Sequence, residues 1–334
     1  MSLLSSTQDG RAAVNSSSEL SAEQFIRDYM LTNQPAVLLN MQESWGVMMS
    51  GNSVKRRRSS LSLEALLDKF GEDLVRVSVS EHGRFDGPEA GDRWGLSSDI
   101  DVLVRPPATT MRFRDFLYLV KSSSTRETFY LEYLALNQYL GKHFLDLIPF
   151  PESLLSYIGG ISRNSSSDGR RGAGMLEHLV TNLWIGSKPT TSPLHYDDYE
   201  NFLCQISGYK ELILYPPSDL EYLYYIGRPK GILKYSYPGV FTRDPSSVDK
   251  NHFVFGSSVN IDRPDLQRFP RFTYAKPIRV LLKPGQVLYL PSFWHHEVQS
   301  IPSDDDDDGL NIAVNFWFKN VTFPVDDMKI LGMK

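Results

Sequence analysis

The second half of the chain sets the strongest limit on the fold. From Val180 onward, short apolar runs of strand length recur, each closed by a turn residue: NLWIG, NFLCQIS, KELILYPP, IRVLLKPG, QVLYLP and NIAVNFWF, punctuated by Gly208, Gly285 and prolines. Strands this short, with turn signals this frequent, predict an antiparallel barrel or jelly roll rather than a parallel sheet with crossover helices. The helical segments upstream are then expected to pack outside it.

Those segments begin near Ser21. SAEQFIRDYMLTNQ opens with a capping box, Ser21 and Gln24, and carries Phe25, Ile26, Tyr29 and Met30 at helical spacing, so a helix is expected over 21–34, followed by a strand in PAVLLNM. Ser62 can cap a second helix, LEALLDKFG, ending at Gly71. LVRVSVS reads as a strand, MRFRDFLYLVKS as a helix and ETFYLEYLAL as a strand. Residues 84–110, rich in Gly, Pro and Asp, predict no regular element. Residues 1–20 are serine-rich without apolar periodicity and are expected to be a flexible leader. The rest, 21–334, is expected to be one domain, with its barrel core at about 180–320.

Composition narrows the function. The 334 residues carry a net charge of −5, which disfavours sequence-independent nucleic-acid binding, although basic patches at Arg56–Arg58 and at Arg170 and Arg171 leave tRNA open as a partner. The single cysteine, Cys204, excludes an internal disulfide framework and a zinc finger built on cysteine pairs. No segment approaches the ~20 apolar residues of a membrane span, so a soluble protein of the cytoplasm or nucleus is expected, with no membrane partner. The loop GNSVKRRRSS is either a solvated connection or a phosphorylation or import signal, and RNSSSDGRRGAG reads as a surface loop.

Chemistry concentrates in two places. In His195-Tyr196-Asp197 an extended backbone sends the imidazole and the carboxylate to the same face. A second histidine stands at the end of another strand, in YLPSFWHHEVQS. Two histidines and one carboxylate make the facial triad of a non-haem Fe(II) site with open positions. His295 and His296 must face opposite sides of a strand. His296 is chosen, because a His295-Glu297 pair would need a further histidine downstream, and none exists. An iron with open positions needs a co-reductant, commonly a 2-oxoacid, and a 2-oxoglutarate carboxylate needs a cation. Lys210 suits that role if the turn Ser207-Gly208 makes a hairpin that returns it to the barrel interior.

The stretches SPLHYDDYENFLCQISGYKELILYPPSD, NIDRPDLQRFP, PGQVLYLPSFWHHEV and NIAVNFWF together resemble the JmjC group of Fe(II)- and 2-oxoglutarate-dependent oxygenases, nearest its small asparaginyl, lysyl and tRNA-wybutosine hydroxylases. The likeness continues more weakly upstream through SLEALLDKFG and FYLEYLAL. It implies a mainly β fold, a cupin-like double-stranded β-helix with flanking α-helices. It also implies iron ligands at His195, Asp197 and His296, the last from the pattern Trp294-x-His296-x-Val298. For 2-oxoglutarate it implies contacts from Lys210, Tyr130, Ser192, Asn201 and Asn315, and it sets Trp317 beside the substrate.

The activity so implied couples O2 and 2-oxoglutarate, giving succinate and CO2, to hydroxylation of a side chain in a protein substrate. Lysine demethylation, hydroxylation of a tRNA base and a non-catalytic cupin that only binds are the rival readings. Two departures bear on the choice. Asp304–Asp308 form a run of five aspartates near the expected rim, either a solvated insertion or a selector for basic substrates. The chain also ends at Lys334 without the C-terminal helical extension through which the asparaginyl hydroxylase dimerises, leaving the oligomeric state open. Because ligand imidazoles must be neutral, activity is expected to fall below roughly pH 6.

Overall fold

The computed structural model describes residues 3–6, 12–15, 22–39, 63–122, 126–136, 176–303 and 309–320. The basic loop at 51–60, the serine-glycine stretch at 163–174 and the aspartate run at 304–308 lie outside the described residues.

In chain order the N-terminal elements are β1 (Leu3–Ser6), β2 (Ala12–Asn15), the helical turn α1 (Ala22–Phe25), β3 (Ala36–Leu38), α2 (Leu63–Phe70), β4 (Leu74–Ser80), β5 (Gly87–Ala90), β6 (Asp101–Arg105), β7 (Ala108–Arg112), α3 (Phe113–Lys121) and β8 (Thr128–Ala135). The C-terminal half is almost all strand. It comprises β9 (Leu176–Gly186), β10 (Thr190–His195), β11 (Glu200–Ser207), β12 (Tyr209–Tyr215), β13 (Tyr225–Ile232), β14 (Lys234–Ser236), β15 (Val240–Thr242), β16 (Asp249–Ser257), β17 (Ile278–Leu282), β18 (Val287–Leu290), β19 (His295–Ile301) and β20 (Asn311–Asn320).

Two antiparallel walls make the jelly roll. The larger runs β3-β18-β11-β20-β9-β8-β4-β7 and the smaller β10-β19-β12-β17. Alternation along each strand assigns its side chains to one face or the other. On β11, Phe202 and Cys204 join an outer apolar layer, whereas Leu203 faces inward. The helices cover that outer layer. On α3, Phe113, Phe116, Leu117 and Val120 recur at helical spacing and are buried against wall residues such as Val75, Val77 and Leu131. Each such fully buried side chain contributes about 1.5–3 kcal/mol. Between the walls, Leu203, Leu212, Leu214, Val280, Leu282, Leu288 and Leu290 form a second apolar cluster. The outer face of the smaller wall is covered by the segment that follows β12, through Leu223, Val259, Ile261 and Phe269 packed on Ile213 and Tyr215.

Four local expectations are corrected. The helix expected to reach residue 34 ends at Met30, and Asn33 adopts a left-handed φ of 51°, a conformation that closes helices. Residues 84–110 hold three strands. Of these, β6 lies between its neighbour β5, to which it pairs antiparallel, and a distant parallel partner, β13, and it buries only Val102 and Val104, on Trp94, which is too sparse an apolar pattern to mark a strand. The leader is not wholly irregular, since β1 pairs antiparallel with β2, and ladder hydrogen bonds need no apolar periodicity. Finally, Ser207-Gly208 does not make a hairpin. β11 lies in the larger wall, whereas β12 pairs with β17 and β19 in the smaller, so the chain crosses between walls there. Gly208 permits the crossing with φ +68°, and a Cβ on it would sit 2.6 Å from the Ile301 carbonyl oxygen.

Candidate metal and cosubstrate site

Two chain crossings at the mouth of the barrel carry the sharpest residues. One runs from β10 to β11 and bears Asp197, and the other runs from β18 to β19 and delivers His296. Register sets His195 directly opposite His296, with ring centroids 4.2 Å apart. Asp197 Oδ2 lies 3.7 Å from His296 Nε2, and one ligand atom from each of the three residues falls within 4.8 Å of the others. Both imidazoles are turned by their backbones. The Nδ1–H of His195 donates to the Pro193 carbonyl at 2.8 Å and that of His296 to the Trp294 carbonyl at 2.9 Å, which leaves both Nε2 atoms as acceptors. Burial, reinforced by the neighbouring His195, lowers the pKa of His296 and keeps it neutral.

His295 faces the other way. Fully buried, its Nδ1 is 3.1 Å from the Tyr225 hydroxyl, and its ring stands edge-on to Tyr196. The structure thus brings His296, and not its neighbour, to His195 and Asp197.

A pocket of about 490 Å³, counted to its open mouth, joins these three residues to Lys210, Tyr130, Ser192, Asn201, Asn315 and Trp317. Lys210 is only 2% exposed. Its ammonium donates to Ser300 Oγ at 2.6 Å and to the Tyr130 hydroxyl at 3.4 Å, both neutral oxygens. Among the described residues no acid pairs with it, and burial pulls its pKa from the ordinary 10.5 down to about 7. Burial also holds the Tyr130 phenol above its ordinary value, so it stays a protonated donor. Tyr130 fits because its register partner is Gly186, where a Cβ would come within 2.9 Å of its ring. Asn315 accepts from Trp184 Nε1 at 2.7 Å and donates to Asn201 Oδ1 at 3.2 Å, which fixes the orientation of Asn201. Trp317 stacks on Tyr199, and its indole N–H is buried with no hydrogen-bond partner among the described residues. Ser192 lines both this pocket and an outer groove of about 1450 Å³ that reaches His195 and Asp197 from the side of β16.

Three further residues escaped the sequence: Trp184 and Tyr133, which line the pocket, and Ser300, which holds the Lys210 ammonium. Ser300 lies opposite Lys210 in the β12–β19 register and on the same face as His296 two steps earlier, so alternation from His296 could have found it. Trp184 and Tyr133 could not be found that way. Tyr133 has a positive φ of 51° in a β8 bulge, which turns it against Trp184 and Trp317 with centroids 4.4 and 5.8 Å away.

A cupin-like domain model matches residues 21–322. The chain belongs to this cupin-like family, as one of its JmjC domains. It is 25% identical over 303 residues to the human bifunctional peptidase and (3S)-lysyl hydroxylase JMJD7, covering 88% of this chain and 80% of that protein. It is 35% identical over 147 residues to the Arabidopsis thaliana lysine-specific demethylase JMJ32, covering 42% of this chain and 41% of that protein. A match of 35% over 138 residues to the Bos taurus HSPB1-associated protein 1 covers 41% of this chain and only 23% of that protein. A JmjC oxygenase is therefore the enzyme class of this chain. The donor set of two imidazoles and a carboxylate with open positions suits iron, and a buried ammonium facing only neutral oxygens suits an anionic cosubstrate. Among the described residues, no helix is long and apolar enough to cross a membrane.

Proposed function

We propose that the protein uses Fe(II), 2-oxoglutarate and O2 to hydroxylate a side chain of a protein substrate, releasing succinate and CO2. The observation that carries this reading is one pocket holding both the His195, Asp197 and His296 cluster and a buried lysine with no counter-anion among the described residues. When bound, iron and 2-oxoglutarate supply the oxidation, one oxygen atom of O2 going to succinate and the other to the hydroxylated carbon.

This chain's residues do the positioning. His195, Asp197 and His296 hold the metal from one side, their imidazoles preset by the Pro193 and Trp294 carbonyls. Lys210, with the Tyr130 hydroxyl beside it, takes the far carboxylate of 2-oxoglutarate, while Ser192, Asn201 and Asn315 supply polar contacts around it. The partnerless indole N–H of Trp317 offers a donor beside the substrate. The outer groove along β16 gives a polypeptide access to His195 and Asp197. The net charge of −5 favours a protein over polyanionic tRNA as substrate.

The test is succinate formation from 2-oxoglutarate by purified protein with Fe(II) and ascorbate, with peptide and tRNA pools added separately. Stimulation by a peptide pool, absent in His195→Ala, is expected. Stimulation by tRNA alone would overturn the protein substrate. Release of formaldehyde from methylated peptides would assign demethylation instead. Absence of both turnover and 2-oxoglutarate binding would leave a cupin that only binds.

A further inference from the structure

Glu200 is a buried carboxylate that the reaction does not use. Its residue is 4% exposed, at the head of β11, and it lines neither the pocket nor the outer groove. It shares the strand face of Phe202 and Cys204, which points into the outer layer, whereas Asn201 beside it faces the pocket. Three donors converge on it: the Tyr289 hydroxyl at 2.7 Å on Oε2, and on Oε1 the Ser292 hydroxyl at 3.1 Å and Asn320 Nδ2 at 3.3 Å. No cation pairs with it among the described residues, and an apolar side chain would join the surrounding layer at lower desolvation cost.

What Glu200 does touch are the two crossings that carry the triad. Its own backbone ends the crossing that bears Asp197. Ser292 lies in the other crossing, four residues before His296. The two run side by side, and the Phe293 N–H donates to the Asp197 carbonyl at 2.7 Å. Phe293 makes that bond from a left-handed φ of 67°, a strained conformation for a phenylalanine that its surroundings must hold. The Ser292–Glu200 bond is one hold on that turn, and the Trp294 indole N–H, donating to the Asn33 carbonyl at 2.8 Å, is another.

We propose that Glu200 is a positioning residue for the metal centre: through Ser292 it locks the Pro291–Trp294 turn against the Asp197 segment, so that the carboxylate of Asp197 and the imidazole of His296 are set before metal binds. This rests on reading His195, Asp197 and His296 as the metal ligands. Outer-layer partners of this kind are worth 10–100-fold in metal affinity.

The experiment titrates Mn(II) into the full chain, followed by its electron paramagnetic resonance, and measures amide hydrogen exchange at Phe293 without metal. Glu200→Ala is expected to weaken Mn(II) binding by about 10–100-fold and to speed exchange at Phe293. Glu200→Gln, which keeps an acceptor for Ser292 and Asn320 and a polar group for Tyr289, restores most of the affinity. Val77→Ala, a cavity in the helix-covered layer, serves as a control of comparable lost stability and leaves Mn(II) affinity within about twofold. Equal Mn(II) affinity in the parent and in Glu200→Ala, or a loss in Val77→Ala as large as in Glu200→Ala, would overturn the proposal. A parent that binds no Mn(II) would instead overturn the metal reading on which it stands.

Discussion

Lys210 and Glu200 are both charged, both almost fully buried and both borne by barrel strands, yet their surroundings treat them in opposite ways. Glu200 receives hydrogen bonds from three residues on the outer side of the larger wall. Lys210, between the walls, meets only two neutral hydroxyl oxygens among the described residues, and burial alone accounts for its lowered pKa. A charge surrounded by well-placed partners has finished its work in the folded protein and braces structure. A buried charge that has neither an opposite charge nor a full set of hydrogen-bond partners is held at a cost that a ligand removes, which is the mark of a binding site. Substitutions that delete each charge should therefore separate stability from binding in opposite directions.

Lys210→Met gives the largest effect. Binding of 2-oxoglutarate is expected to weaken by 100-fold or more, on the order of 3 kcal/mol for a buried charge pair, while the apoprotein melts about 2–4 °C higher because an unpaired ammonium is gone. Calorimetry and thermal unfolding read the two arms, and a lower melting temperature would break the contrast. Glu200→Ala should do the reverse to stability. Stranding its donors costs roughly 2–4 kcal/mol, visible as a lower denaturation midpoint with an unchanged slope against denaturant.

A pH series sharpens the same contrast. Below about pH 7 the Lys210 ammonium is already protonated in the free protein, and 2-oxoglutarate affinity should be flat. Above it, binding must first protonate the amine, so affinity should fall by up to about tenfold per pH unit. The smallest effect belongs to His295, and its neighbour gives the contrast. His296→Ala should abolish Mn(II) binding, whereas His295→Phe, on the face packed against Tyr196 and Tyr225, should change it less than about threefold. Comparable losses in both would undo the assignment of the two faces.

Local pattern in the sequence carried some of these features and not others. Most strands of the barrel were legible from apolar runs and turn residues, because they are short and several are closed by their own Gly or Pro. His296 could be separated from His295 because strand alternation is a local rule; His195 and Asp197 were legible as a pair by their spacing, although β10 ends at His195 and Asp197 reaches the cluster from the crossing to β11. The route of Lys210 into the interior was not, since β12 leaves β11 for the opposite wall at Gly208, and wall membership depends on partners far along the chain. The strands between residues 84 and 110 were missed because they are short and sparsely apolar: β6, held between β5 and the distant β13, buries only two valines, on Trp94. Tyr133 reaches the pocket through a bulge, which breaks the alternation that sequence reasoning relies on. Glu200 reads as one more acidic residue beside a tyrosine until Tyr289, Ser292 and Asn320 are seen around it.

The most direct test of the central claim, that Lys210 waits uncompensated for the carboxylate of 2-oxoglutarate, is calorimetry of 2-oxoglutarate binding to the Mn(II)-loaded protein in buffers of different ionisation enthalpy. The account predicts uptake of close to one proton per molecule bound at pH 8.5, shrinking toward zero near pH 6, with Lys210→Met abolishing both binding and uptake. Binding with no proton uptake at pH 8.5, or binding undiminished in Lys210→Met, would contradict it.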